Sequence, residues 1–168
     1  MTEPAMVAVT AAAKAMPPSP WWRWWKGLQE RKGDRAQLRR CGSIIDVAFT
    51  PIYHRLLHQL GSRLPEADRD RVAAVAAILA QVDSASDEVS MGEAMARPHN
   101  GKARVSDARF RRLLRTDRIE ELRSELIRIA RLLDRRLPID SLARDLVKWS
   151  DAVKKRWALD YYELTQDK

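Results

Sequence analysis

Residues 21–40, WWRWWKGLQERKGDRAQLRR, put four tryptophans in five positions and then a run of arginines and lysines. Such a stretch is either a stacking platform for nucleic-acid bases or the apolar anchor of a helix whose far end is charged. The spacing favours the anchor for three of the four. Trp21, Trp24, Trp25 and Leu28 stand at i, i+3, i+4 and i+7, a single stripe on a 3.6-residue period, whereas Trp22 falls to the side next to Lys26. Ser19 and Pro20 supply the start signal, a hydroxyl cap followed by a proline at the first helical position. The tryptophans therefore predict a buried helix, with Trp22 open to either role.

The same pattern continues outward. Thr50 and Pro51 open a second helix, PIYHRLLHQL, with Tyr53, Leu56, Leu57 and Leu60 inward and Gly61 at its end. A third begins near Asp68 and carries Val72, Val75, Ala76, Leu79 and Val82 on one side, its alanines allowing close helix packing. Between Asp83 and Val105 the periodicity lapses, leaving room for at most a short helix around Gly92–Ala96. Ser106 caps a helix with Phe110, Leu113 and Leu114 inward and Arg111, Arg112 and Arg115 outward. Asp117 with Glu120 reads as a capping box for a long helix marked by Ile119, Leu122, Leu126, Ile129, Leu133 and Leu137, ending near Pro138. Asp140 opens the last, with Leu142, Leu146, Trp149, Val153, Trp157 and Tyr161 as its stripe. The fold class expected is all-α, a two-lobed helical bundle. Its parts are a flexible leader (1–18), an N-terminal lobe (19–88), a connector (89–105) and a C-terminal lobe (106–168). The leader's apolar stretch lacks the charged start of a signal peptide.

Composition narrows the function. The 168 residues are 45% hydrophobic and 32% charged, enough apolar content to fold as a small module and no run long enough to cross a membrane. A single cysteine, Cys41, implies no internal disulfide and a reducing compartment, so the expected location is cytoplasmic. The net charge of +8 is concentrated. Residues 21–40 hold seven basic residues against Glu30 and Asp34, and residues 97–115 hold seven against Asp107. These windows carry more positive charge than the whole chain, so the remainder is net acidic. Two basic patches suit a polyanion such as RNA or DNA, because each neutralised phosphate releases counterions. No phosphate-cradling glycine loop is present. His54 and His58 lack a third metal ligand at a zincin-like spacing, and Cys41 has no partner base, so no catalytic residue, cofactor or metal is expected.

The segments WWKGLQERKGDRAQLRR, PIYHRLL, VSMGEAMARPHNGKARVSDARFRRLLRTDRIEEL and LARDLVKWSDAVKKRWALDYYEL, in that order, resemble the small subunit of the type I-E CRISPR surveillance complex Cascade, the CasB family. The resemblance spans about residues 24–164 and rests on GDRAQLRR, MGEAM and RFRRLLRTDR in succession. It implies a non-catalytic, two-lobed helical protein, present as two copies. Its partners would be the other Cascade subunits, CRISPR RNA and the displaced single strand of target DNA, which protein helps to hold while base pairing reads the sequence. By resemblance, nucleic-acid contact falls on Arg35, Arg39, Arg40, Arg109, Arg112, Arg115 and Arg118; charge and helical position add Lys102 and Arg111. Two other functions remain: a helix-turn-helix regulator, which needs base-reading Asn or Gln on a recognition helix, and a scaffold whose arginines bridge acidic partners.

Overall fold

The computed structural model describes residues 18–61 and 64–166, so the leader, apart from Pro18, lies outside the described residues. Ten helices account for nearly all regular structure there. In chain order they are α1 (Pro20–Glu30), α2 (Lys32–Arg40), α3 (Ile44–Ala48), α4 (Pro51–Leu60), α5 (Glu66–Leu79), α6 (Met91–Ala96), α7 (Asp107–Leu114), α8 (Ile119–Leu132), α9 (Ile139–Val147) and α10 (Asp151–Thr165). The all-α bundle expected from the periodicity is the fold observed.

The local start signals act as read. Ser19 Oγ accepts from Trp22 N at 3.1 Å, Thr50 Oγ1 from Tyr53 N at 3.3 Å and Ser106 Oγ from Arg109 N at 3.3 Å. Gly61 ends α4 with φ +101°, a conformation that costs glycine nothing. Trp21, Trp24, Trp25 and Leu28 are buried as the stripe predicts. Trp22 is half-buried, edge-on to Trp25 at 6.4 Å, with Lys26 Nζ 5.9 Å from its ring centre.

At the centre lies α5, and its burial exceeds what one stripe suggests: every residue from Val72 to Leu79 is buried. Helices α3, α8 and α9 pack around it, and α1 lies against α9. The small alanines let those neighbours close in from several sides at once. Across the molecule α6 packs on α10, where a Cβ placed on Gly92 would stand 2.6 Å from the Trp157 carbonyl oxygen and 2.8 Å from Asp160 Cβ. Only glycine permits that approach. Phe110 of α7 stacks on Tyr161 of α10 with ring centres 4.0 Å apart, and the Tyr161 hydroxyl donates to Val105 O at 2.6 Å. All these helices share one buried core. The segment 89–105 is part of it: Met91, Met95 and Val105 are fully buried, and α8 and α9 of the C-terminal half pack on α5 of the N-terminal half.

Three expectations about boundaries differ from the structure. Asp117 does not cap α8; it pairs with Lys154, and Glu120 turns instead to accept Ile44 N at 2.7 Å. Helix α8 stops at Leu132 rather than near Pro138, because Asp134 and Arg135 take positive φ and release the chain into β4 (Arg136–Leu137), which runs parallel to β1 (Ser84–Ala85). The stripe from Leu142 to Tyr161 belongs to two helices, broken between Lys148 and Ser150, whose side chain caps α10. At the break the Trp149 indole donates to Thr116 O at 2.9 Å. A hydrophobic stripe reports which residues face the core, and it survives a break that keeps them facing inward. A small hairpin also went unread: β2 (Pro98–His99) pairs antiparallel with β3 (Lys102–Ala103) about an Asn100–Gly101 turn with φ of 53° and 78°.

Candidate nucleic-acid interface

The basic residues singled out in the sequence fall into two structural classes, separated by whether the fold itself uses their charge. Arg35 belongs to the first. Its Nε donates to Ala80 O at 3.0 Å, its Nη2 to Val82 O at 2.9 Å, and it pairs with Asp83, leaving the side chain 18% exposed. Arg39 follows one turn on, with Nε 2.8 Å from Ala80 O and Nη2 3.3 Å from Asp83. Trp25 Nε1 and Gln29 Nε2 reach Val82 O at 3.1 and 3.3 Å, and Arg135 Nη1 bonds the Gln81 side-chain oxygen at 3.0 Å. These groups meet the carbonyls that the end of α5 leaves without helical partners, at the negative end of its dipole. Burial, and then the neighbouring Arg35 and Arg135 charges, pulls the Arg39 guanidinium below its ordinary value. The arginine run after the tryptophans is thus bound to the fold through α5.

Arg40, next in sequence, points elsewhere. It is exposed and makes no side-chain hydrogen bond or ion pair among the described residues. Lys102 on the hairpin and Arg109 and Arg115 of the α7 region are likewise without such partners. The others are paired at the surface: Arg111 with Asp107 at 2.6 Å, Arg112 with Glu125 at 3.2 Å and Arg118 with Glu121 at 3.7 Å. All three arginines are exposed, Arg118 to 82%; the pairs of Arg111 and Arg118 are exposed on both sides, weak and open to exchange for a phosphate, whereas Glu125, the partner of Arg112, is 12% exposed and also holds Arg128 at 3.1 Å. Arg111, Arg112 and Arg115 stand outward from Phe110 and Leu113, whose burial fixes the rotation of α7.

Sequence reading passed over Arg123, which lies on the flank of the α8 stripe with no local mark. It is 7% exposed, with Nη2 donating to Gly42 O at 2.7 Å and Nε to Glu120 at 3.4 Å, so it clamps the loop before α3 onto α8. Arg128 and Arg131 were also passed over, both exposed on α8, because acidic neighbours dilute their charge in a window count. The remaining sequence candidates serve the fold. His54 lies 2.8 Å from Ala48 O through its ring nitrogen, and the Cys41 thiol, pushed up by burial, lies 3.4 Å from Gln37 O. Among the described residues no three His, Cys, Asp or Glu side chains gather as a metal site, and no helix is long and apolar enough to cross a membrane.

No curated protein sequence matches the chain. Solved structures do. A chain in the crystal structure of Escherichia coli Cascade bound to a PAM-containing double-stranded DNA target superposes with a TM-score of 0.71 at 22% identity, over 88% of this chain and 97% of that one. The crystal structure of CasB from Thermus thermophilus gives 0.65 at 24% identity, over 85% and 96%. The model of the family described as CRISPR-associated protein Cse2 matches residues 34–162, a span that takes in every helix from α3 to α9 and the contact candidates from Arg35 to Arg118. The chain therefore belongs to the CRISPR-associated protein Cse2 family.

Proposed function

We propose that this chain is a non-catalytic subunit of a type I-E Cascade complex that helps hold the displaced DNA strand of the R-loop while bridging its neighbours. The observation that carries the reading is the set of cations the fold leaves uncommitted: Arg40, Lys102, Arg109 and Arg115, with the weakly paired Arg111 and Arg118, and the exposed Arg112, beside the last two. Arginine and lysine without base-reading amides bind a backbone irrespective of sequence, which suits a strand whose sequence is read elsewhere by pairing. Arg35 leaves the contact set, because its donors cap α5, and Arg39 keeps only a share of its charge for a ligand. Assembly with neighbours, including a second copy, is supported by Phe49 and Ile45, which are 77% and 60% exposed on one face of α3, an apolar pair of the kind that partners cover.

The regulator reading meets a specific difficulty. Helices α7 and α8 are joined by a short turn, as in a helix-turn-helix, but α8 buries its inner face on α5 and exposes Glu121, Arg128, Arg131 and Leu132, with neither Asn nor Gln. The test is purification of the chain from a strain carrying its companion genes, followed by salt titration of single-stranded DNA binding. Co-purification with a small CRISPR RNA and a binding slope that does not depend on base sequence are expected. Recovery of the chain without RNA or companion proteins would overturn the assembly reading, and a salt-independent affinity would favour a protein scaffold.

A further inference from the structure

A groove of about 640 Å³ lies between the two halves of the molecule. Its apolar wall is built by Trp21 at the start of α1, Leu60 at the end of α4, Leu64 before α5, Val147 of α9 and Val153 of α10. Leu60, Leu64 and Val147 pack against the core and stay only half-buried. The polar groups form a rim rather than a cradle. Arg144, Lys148 and Arg156 are exposed, and the Asp145 carboxylate is already used, accepting from Arg156 and from the Trp157 indole at 2.7 Å. Long basic side chains lay their apolar stems along such a wall and keep their charges in water. The groove therefore suits an apolar polypeptide segment.

The described chain enters at the edge of this groove. Pro18 stands three residues before Trp21, and the Ser19 hydroxyl is fastened to Asp140, the neighbour of the lining residue Ser141. Residues 1–17 lie outside the described residues. In sequence, positions 5–16 are apolar apart from Thr10 and Lys14, and the nucleic-acid reading makes no use of them. Met16 is tethered within about 7 Å of Pro18, and the chain back to Val7 spans at most about 40 Å. Such a tether holds the segment near the groove at an effective concentration of about a millimolar, a level an untethered partner must reach in solution. Methionine adapts to an irregular groove, and Val7 and Val9 supply stiff branched anchors.

We propose that residues 5–16 of this chain dock in the groove as an intramolecular strap, with Val7 and Val9 against the wall formed by Leu60, Leu64 and Val147. The strap joins α4 and α5 of the N-terminal half to α9 and α10 of the C-terminal half, and it covers apolar surface otherwise left to water.

Hydroxyl-radical footprinting of the full chain, read by mass spectrometry at two protein concentrations about ten-fold apart, reports the exposure of these side chains. The references are a synthetic peptide of residues 1–17 and the double variant Val7→Asp, Val9→Asp, whose substitutions leave the described core untouched. Met6 and Met16 are expected to be oxidised about ten-fold or more slowly in the chain than in the peptide, because a docked side chain reacts only when the segment opens. In the double variant both should react at the peptide's rate, and Leu60 and Leu64 should be modified faster than in the parent. Four results overturn the proposal. Methionines that react at the peptide's rate in the parent leave the groove to a partner protein, and protection that survives the double substitution removes the valines as anchors. Protection lost without any change at Leu60 and Leu64 places the segment elsewhere. Protection that falls on dilution assigns the groove to the leader of a second copy. The measurement is made on the free chain, so its outcome is independent of whether the chain enters an RNA-guided complex.

Discussion

Replacing Arg35 and Arg40 separately by alanine distinguishes an arginine that builds the fold from one five residues on that faces outward. Arg35→Ala removes donors to Ala80 O and Val82 O and the pair with Asp83. The carbonyls are not orphaned, because Arg39 still reaches Ala80 O at 2.8 Å and Trp25 still reaches Val82 O at 3.1 Å. The loss is therefore that of charged hydrogen bonds at a helix end without a desolvated remainder, about 2–3 kcal/mol. For a chain of this length that lowers the melting temperature by about 4–12 °C. Arg40→Ala breaks no hydrogen bond or ion pair of the fold, and its stability should stay within about 0.5 kcal/mol of the parent. Single-stranded DNA binding should respond in the opposite order. Arg40→Ala should reduce the slope of log K against log salt by about 0.7, the share of one phosphate contact, and Arg35→Ala, measured well below its melting transition, should leave it unchanged. Thermal denaturation followed by circular dichroism and fluorescence anisotropy at several salt concentrations read the two effects. An Arg35→Ala chain that melts like the parent while losing salt slope would refute the division of the basic residues.

Gly92→Ala should destabilise the α6–α10 contact: the new Cβ meets backbone 2.6 Å away, and overpacking of about 1–3 kcal/mol outweighs the roughly 1 kcal/mol gained in helix propensity, visible as a lower melting temperature. Trp25→Ala should cost about 3–5 kcal/mol in a denaturant melt, because it opens a core cavity and removes the indole bond to Val82 O; a normal melt with lost DNA binding would return this tryptophan to a stacking role. Phe49→Ser should leave the melting curve of the isolated chain within about 0.5 kcal/mol of the parent and reduce its incorporation into a co-expressed complex, measured by the subunit ratio on a gel, since the ring is 77% exposed. Alkaline titration should reveal Tyr162: burial and then its 2.5 Å hydrogen bond to Asp107 push the phenol from 10.0 up to about 12, so the folded state holds this proton more tightly. The resulting stability is complete below pH 10 and lost as pH rises toward 12, and Tyr162→Phe should flatten that part of the stability curve.

Some of this molecule is local and some is not. Helix starts at Ser19, Thr50 and Ser106, the stop at Gly61 and the inward stripes of α1, α7 and α8 follow from rotamer, capping and periodicity rules that act within a few residues, so sequence alone determined them. The positive patches were equally legible, because charge is additive along a chain. Other features depended on neighbours far away in sequence. The break between α9 and α10 is set where the Trp149 indole finds the Thr116 carbonyl, and the stop of α8 at Leu132 frees residues to pair with Ser84 and Ala85. Arg35 and Arg40 sit in one basic run and count equally toward its charge, yet the end of α5, some forty residues downstream, claims the first and leaves the second. Arg123 and Ser86 carry no local mark at all; one becomes a clamp and the other an unpaired hydroxyl only once distant segments close around them. Sequence determines which groups carry charge and which faces avoid water, whereas tertiary structure decides which charges are already spent on carbonyls and carboxylates, because hydrogen bonds saturate and a donor used inside the fold is lost to a ligand.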